Sequence, residues 1–182
     1  MIEVKIFIDV GHGGADPGAC ANGLTEKNIN LTVALKLKEL LLSAGIEGML
    51  SRETDIALGL TERCQLSNNW GADFFISIHH NAGGGLGYEV IHSINNGKGL
   101  ELAKEIAKQF EVTGQTCRRV YARESTNYPG HDYYTVIASS DAPAVITEYA
   151  FLDSEDYKDV DTAEELYRDW ETGGLAKLHD NN

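Results

Sequence analysis

Long apolar runs are missing from this chain of 182 residues. A membrane-crossing helix needs about 18 or more consecutive apolar residues, so no membrane insertion is expected. The amino terminus, Met1-Ile2-Glu3-Val4-Lys5, has no basic segment followed by an apolar stretch, and the sequence reads as lacking a signal peptide. Cysteine is scarce. The three present, Cys20, Cys64 and Cys117, are odd in number and far apart, which argues against a disulfide framework or a Cys-x-x-Cys zinc site and for synthesis in a reducing cytoplasm. Basic residues are few: 15 Lys and Arg against 28 Asp and Glu, a net charge of −13 that excludes nucleic acid as an expected partner. Internal repeats and low-complexity linkers are absent, and the length suits one domain with a full core, residues 1–182.

The acidic excess is uneven, with nine acids against Lys158 and Arg168 between Asp153 and Glu171. That density reads as a solvated helical face, and residues 154–177 are expected to be helical.

The patterned part begins with Ile6-Phe7-Ile8-Asp9-Val10, a strand running into Gly11-His12-Gly13-Gly14. The glycines permit a sharp turn and leave room for metal and substrate to reach His12; a capping role for His12 in a Gly-rich turn is the alternative. A turn follows at Ala15-Asp16-Pro17-Gly18, then Thr25 as a helix N-cap and a helix to Ser43 with Gly45 as its C′ residue. Its polar stripe is Thr32, Lys36, Glu39 and Ser43, its buried side Val33, Ala34, Leu37, Leu41 and Ala44, and Glu26 lies at its start, off the stripe. Further strands are expected over 46–52, 74–79, 88–92, 133–138 and 144–148, with helices over 60–70 and 99–110. Residues 111–129 have no clean period and read as a loop over one face.

Strands alternating with helices of this length imply an α/β fold: a single domain, a mostly parallel twisted sheet of about six strands, and helices on both faces. Three strands then end at His12, His79 and Glu148, with their carboxyl ends on one side of the sheet. Two histidines and one carboxylate, with water as a fourth ligand, make an open catalytic zinc site. His79 is preferred over His80, which points to the opposite face of its strand. Glu26 and Glu148 are the acids placed to join the histidines, one as a ligand and one to move a proton. Three further residues are candidates for substrate contact: Asn81 beside the His79 loop, His131 on the groove and Arg123 on a peptide carboxylate. The alternatives are orienting the His79 loop for Asn81, a local hydrogen bond for His131 and a solvated side chain for Arg123.

Four blocks of the sequence also resemble a known family. They are Gly11-His12-Gly13-Gly14-Ala15-Asp16-Pro17-Gly18-Ala19, Thr25-Glu26, Ser77-Ile78-His79-His80-Asn81-Ala82, and Pro143-Ala144-Val145-Ile146-Thr147-Glu148-Tyr149-Ala150-Phe151. In order and spacing, with Arg52, Arg63 and Gly87-Tyr88-Glu89-Val90, they are similar to zinc-dependent N-acetylmuramoyl-L-alanine amidases of autolysins, sporulation hydrolases and phage endolysins. The last block departs from the family pattern at Thr147, at Ala150 in place of a glycine and at Asp153-Ser154 where Asn is common.

The resemblance implies one Zn2+ per chain held by His12, Glu26 and His79, with Glu148 as catalytic acid/base. It implies hydrolysis of the amide joining N-acetylmuramic acid to L-alanine in peptidoglycan. A zinc peptidase and an inactive peptidoglycan-binding module are the rival readings. A chain made in the cytoplasm would then reach the wall on phage lysis or mother-cell lysis. Because an anionic wall does not attract a −13 domain, a cell-wall-binding domain after residue 182 or an oligomeric partner is expected.

Overall fold

In the computed structural model, residues 4–112 and 114–154 are described. The central strand β1 (Lys5–Val10) places Ile6, Ile8 and Val10 on one face of a sheet and Phe7 on the other, all fully buried. Both faces are covered, which is why a mostly apolar run forms a strand here. Helices α1 (Glu26–Ser43) and α3 (Gly97–Val112) pack on the first face through Val33, Leu37, Leu41, Leu102 and Ile106. Helices α2 (Leu60–Trp70) and α4 (Thr135–Ala138) pack on the second through Cys64, Val136 and Ile137.

The remaining sheet strands are β4 (Glu47–Leu50), β5 (Phe74–Asn81), β6 (Tyr88–His92), β7 (Cys117–Ala122) and β8 (Ala144–Phe151). The six-stranded order is β4-β1-β5-β8-β6-β7, parallel except where β6 meets β8. The expected α/β class, strand number and two-sided helical cover are therefore present. A separate ribbon of β2 (Cys20–Ala21) and β3 (Leu24–Thr25) turns at Asn22 and Gly23, both left-handed with φ of 53° and 78°. That pair suits a two-residue hairpin turn, and the Asn-Gly dipeptide was its legible signal.

Four local expectations need correction. β7 lies inside the stretch that reads as a loop; it is an edge strand, exposed at Arg118 and Arg119, so no burial period marks it. The 133–138 segment is not a strand but a bend into the short helix α4, whose Val136 and Ile137 are buried against the sheet. β5 and β8 continue past His79 and Glu148, which sit within strands and not at their ends. Ala44 is exposed, and Thr25 occupies the N-cap of α1 without a side-chain cap bond. The carbonyls of Ala19 and Pro17 accept from the Glu26 and Lys27 N–H groups, so the preceding loop satisfies the helix start. The helix expected over 154–177 falls, beyond Ser154, outside the described residues.

Two buried arginines fix the turn that leaves β1. Arg63 Nη1 donates to Asp9 Oδ1 at 2.7 Å and to the Val10 carbonyl, and Nη2 donates to the His12 carbonyl at 2.8 Å. Ser77 Oγ donates to the other Asp9 oxygen at 2.7 Å. Arg52 Nε donates to the Val10 and His12 carbonyls and Nη2 to those of Gly11 and Lys27. The Gly11 and His12 carbonyls of the loop are thus answered by guanidinium donors. Arg63→Ala strands Asp9 as a buried unpaired acid and is expected to cost about 3–5 kcal/mol in urea unfolding. Lys38→Ala, which breaks the exposed pair with Glu53, is expected to cost under about 1 kcal/mol. Equal costs for the two would refute the structural role of Arg63.

Candidate metal centre

His12 follows β1 in the left-handed region at φ 62°, a conformation that costs a β-carbon residue about 1–3 kcal/mol and is held here by Arg52 and Arg63 on its carbonyl. Its ring lies between two carboxylates. Nδ1 bonds Asp16 Oδ2 at 2.8 Å, and Nε2 lies 3.0 Å from Glu26 Oε2. Glu26, the first residue of α1, is buried, and its Oε1 also accepts from His79 Nδ1 at 2.9 Å and from the His80 N–H at 3.0 Å. Its Oε2 accepts from the Ala19 N–H at 2.7 Å. The His12 and His79 rings meet edge to face with centroids 4.9 Å apart.

One ligand atom from each of His12, Glu26 and His79 lies within 4.8 Å of the other two, so the group could hold a metal ion. The charges show how strongly these groups are coupled. Burial lowers the His12 pKa, but hydrogen bonds and charge from Glu26 and Asp16 outweigh it and raise it to about 9. For Glu26 burial pulls upward, and the two histidines together with the Ala19 N–H hold it well below the ordinary carboxylate range. A cation binding there must displace the imidazole protons, because histidine ligates in its neutral form.

Glu148 stands beside this cluster, paired in register with His79 across β5 and β8. Burial, then the charges of Glu26 and Glu89, push its carboxyl up to about 7 against the lowering effect of His79. Its Oε2 is buried without a hydrogen-bond partner among the described residues.

A family model described as N-acetylmuramoyl-L-alanine amidase matches residues 6–167. The chain belongs to this amidase family. A sporulation-specific N-acetylmuramoyl-L-alanine amidase of Bacillus subtilis is 39% identical over 153 residues, covering 83% of this chain and 57% of that protein. The endolysin of Bacillus phage SPP1 is 31% identical over 153 residues, 83% of this chain and 56% of its own length. The chain thus spans little more than half the length of these relatives. The crystal structure of an N-acetylmuramoyl-L-alanine amidase from Clostridium difficile 630 superposes with a TM-score of 0.86 at 26% identity, covering 99% of each chain.

Within this amidase domain, His80 faces away from the cluster. Its Nδ1 bonds Asn30 Oδ1 at 2.8 Å beneath α1, and burial lowers its pKa to about 3. Asn81 ends β5, where its carbonyl accepts from the Leu152 N–H. Arg123 and His131 belong to an exposed loop after β7: the Arg123 guanidinium stacks 3.7 Å from the Tyr133 ring centroid, and His131 bonds Tyr128 and Ser125 through its backbone. His131 is not part of the His12–Glu26–His79 group.

Sequence reasoning missed Asp16, which lies in a loop where no periodicity marks it. It also assigned the glycines too simply. A Cβ on Gly11 would lie 2.5 Å from His79 Cε1 and Nε2, and one on Gly18 would lie 2.4 Å from Glu26 Oε2 and 2.6 Å from His12 Cδ2. At these two positions the cleared space holds the protein's own site side chains.

Gly11→Ala is therefore expected to push the His79 ring and the Ile78 carbonyl aside and weaken any divalent-metal binding at this group about 10- to 100-fold in a competitive chelator titration, with the fold retained by circular dichroism. Unchanged affinity would contradict the packing argument. The metal-free protein should also lose stability with rising pH. The His12 pKa is raised from 6.5 to about 9, so its contribution is full below pH 6.5 and disappears as pH climbs towards 9. Chelator-treated protein is expected to lose about 1–3 kcal/mol over that window, and Glu26→Gln to flatten the dependence.

Proposed function

We propose that this chain hydrolyses the amide between N-acetylmuramic acid and the L-alanine of the stem peptide in peptidoglycan, using one zinc ion held by His12, Glu26 and His79. The observation that carries the reading is the convergence of two imidazoles and a carboxylate within 4.8 Å beside the unpartnered Glu148 oxygen. Family membership and the similarity to a sporulation amidase and a phage endolysin support the substrate class and a site of action at the cell wall.

The donor set fits zinc. Two histidine nitrogens and one carboxylate oxygen are the ligands of open catalytic zinc sites, and no thiolate is needed. When bound, the ion supplies a Lewis acid for the scissile carbonyl and lowers the pKa of water. The chain's own residues do the rest. Asp16 holds the His12 ring through Nδ1, as carboxylate partners of ligating histidines do. Glu148, half-buried with its Oε2 turned away from solvent, accepts a proton from the attacking water and returns it to the departing alanine amine.

No long apolar helix occurs among the described residues. With a net charge of −13 the chain has no electrostatic pull towards an anionic wall, so we assign wall attachment to a separate binding segment or to a partner.

Glu148→Ala is expected to lower turnover by about 10²–10⁴-fold while keeping one zinc per chain. Metal content is read by mass spectrometry of the protein, and turnover by release of stem peptides with a free amino-terminal alanine from purified peptidoglycan. Loss of zinc in that variant would make Glu148 a ligand. Products cut elsewhere in the stem would make the chain a peptidase.

A further inference from the structure

Glu148 belongs to a row of side chains that crosses four strands. His79 on β5 pairs with Glu148 on β8, Glu148 with Glu89 on β6, and Glu89 with Arg119 on β7. Cross-strand partners project from the same face of a sheet. The row therefore leads from the metal-binding group outwards to a charged edge strand.

At that edge the register slips. Tyr88 pairs with Cys117 but Glu89 pairs with Arg119, which leaves Arg118 as an extra residue. Such a bulge re-aims the side chain it displaces. Here both arginines reach the same carboxylate: Arg118 Nε lies 3.0 Å from Glu89 Oε1, and Arg119 Nη2 donates to Oε2 at 3.0 Å. Glu89 is buried, whereas the arginine side chains are 46% and 52% exposed. Arg118 faces Glu89 through Nε alone. One arginine would neutralise Glu89. Two leave a net positive charge on a chain that is otherwise strongly acidic.

The arginines are also held in place. The Arg118 guanidinium lies 5.0 Å from the Phe151 ring centroid and that of Arg119 lies 4.0 Å from Tyr121. Gly85 lies against this arrangement, since a Cβ there would stand 2.3 Å from Arg118 Nη1 and 2.4 Å from Phe151. Aromatic contacts and a carboxylate pin keep these side chains near one geometry, so less entropy is lost when they bind an anion.

We propose that Arg118 and Arg119, positioned by Glu89, form a carboxylate-binding subsite for the stem peptide on the leaving-group side of the scissile amide. The inference rests on the amidase reading above. Strands are spaced about 4.8 Å apart, which puts β7 about 10 Å from Glu148 across the sheet. An extended peptide advances about 3.3–3.6 Å per residue, so an acidic residue one or two positions beyond the released alanine spans that distance. A guanidinium pair recognises a carboxylate through charge-assisted, planar hydrogen bonds.

The test compares two soluble muropeptides, one with free stem-peptide carboxylates and one with them amidated. For the wild-type protein kcat/KM is expected to be about 10- to 100-fold higher on the free acid, mostly through KM. Arg118→Ala/Arg119→Ala should lose that preference by falling on the acid substrate and changing little on the amidated one. Because stripping both arginines from Glu89 can destabilise the sheet, a second measurement uses only the wild-type chain. Competitive inhibition by the free stem peptide product should be stronger than by its amidated form and should weaken with added salt. Equal kcat/KM of the wild-type protein on the two substrates, equal inhibition by the two peptides, or a double variant that keeps the wild-type preference would overturn the subsite. Cleavage of neither muropeptide by the wild-type protein would instead overturn the amidase reading, while the inhibitor comparison would still judge the arginines.

Discussion

A single carboxylate, Glu26, gathers the site. It is buried at the start of α1 and receives the His12 ring on one oxygen and the His79 ring on the other. The backbone N–H groups of Ala19 and His80 also point at it. A lone carboxylate in such a place would carry a desolvation penalty of several kcal/mol, so the surrounding donors are a condition of the fold as well as of any metal affinity. The loop after β1, the β2–β3 ribbon, helix α1 and strand β5 all converge on this group. The left-handed turn at His12 is tolerable because Arg52 and Arg63 occupy the carbonyls around it.

The parallel sheet then turns a compact pair into a graded surface. Moving from β5 to β7 the same face carries imidazole, carboxyl, carboxylate and guanidinium in adjacent register. The antiparallel contact of β6 with β8 sets Glu89 opposite Glu148, where its charge helps keep the Glu148 carboxyl near neutrality. His79 of the candidate metal group, Glu148 and the charged rim therefore share one register.

Where both faces of a strand are buried, the sequence is plain to read. Apart from the mutually bonded Asp9 and Ser77, Ile6 to Val10 and Phe74 to Ile78 are apolar because helices cover them on both sides. His12, Glu26, His79 and Glu148 could be picked out because each adjoins such a strand or the helix it feeds. β7 was not legible, since an edge strand that presents Arg118 and Arg119 to solvent shows no burial period. The segment before α4 misled for the opposite reason. Tyr133, Tyr134, Thr135, Val136 and Ile137 are β-formers by propensity, yet tertiary contact with α2 and β8 bends them into a turn of helix. Asp16 was passed over because its role depends on a loop fold that composition alone does not encode.

The most direct measurement is an anomalous difference map recorded at the zinc absorption edge from crystals of the zinc-loaded protein. One peak per chain is expected within about 2.0–2.2 Å of a ring nitrogen of His12, a ring nitrogen of His79 and a carboxylate oxygen of Glu26, with Glu148 outside the ligand set. A peak that takes Glu148 or His80 as a ligand, or a peak elsewhere in the domain, would contradict the division of roles on which this reading stands.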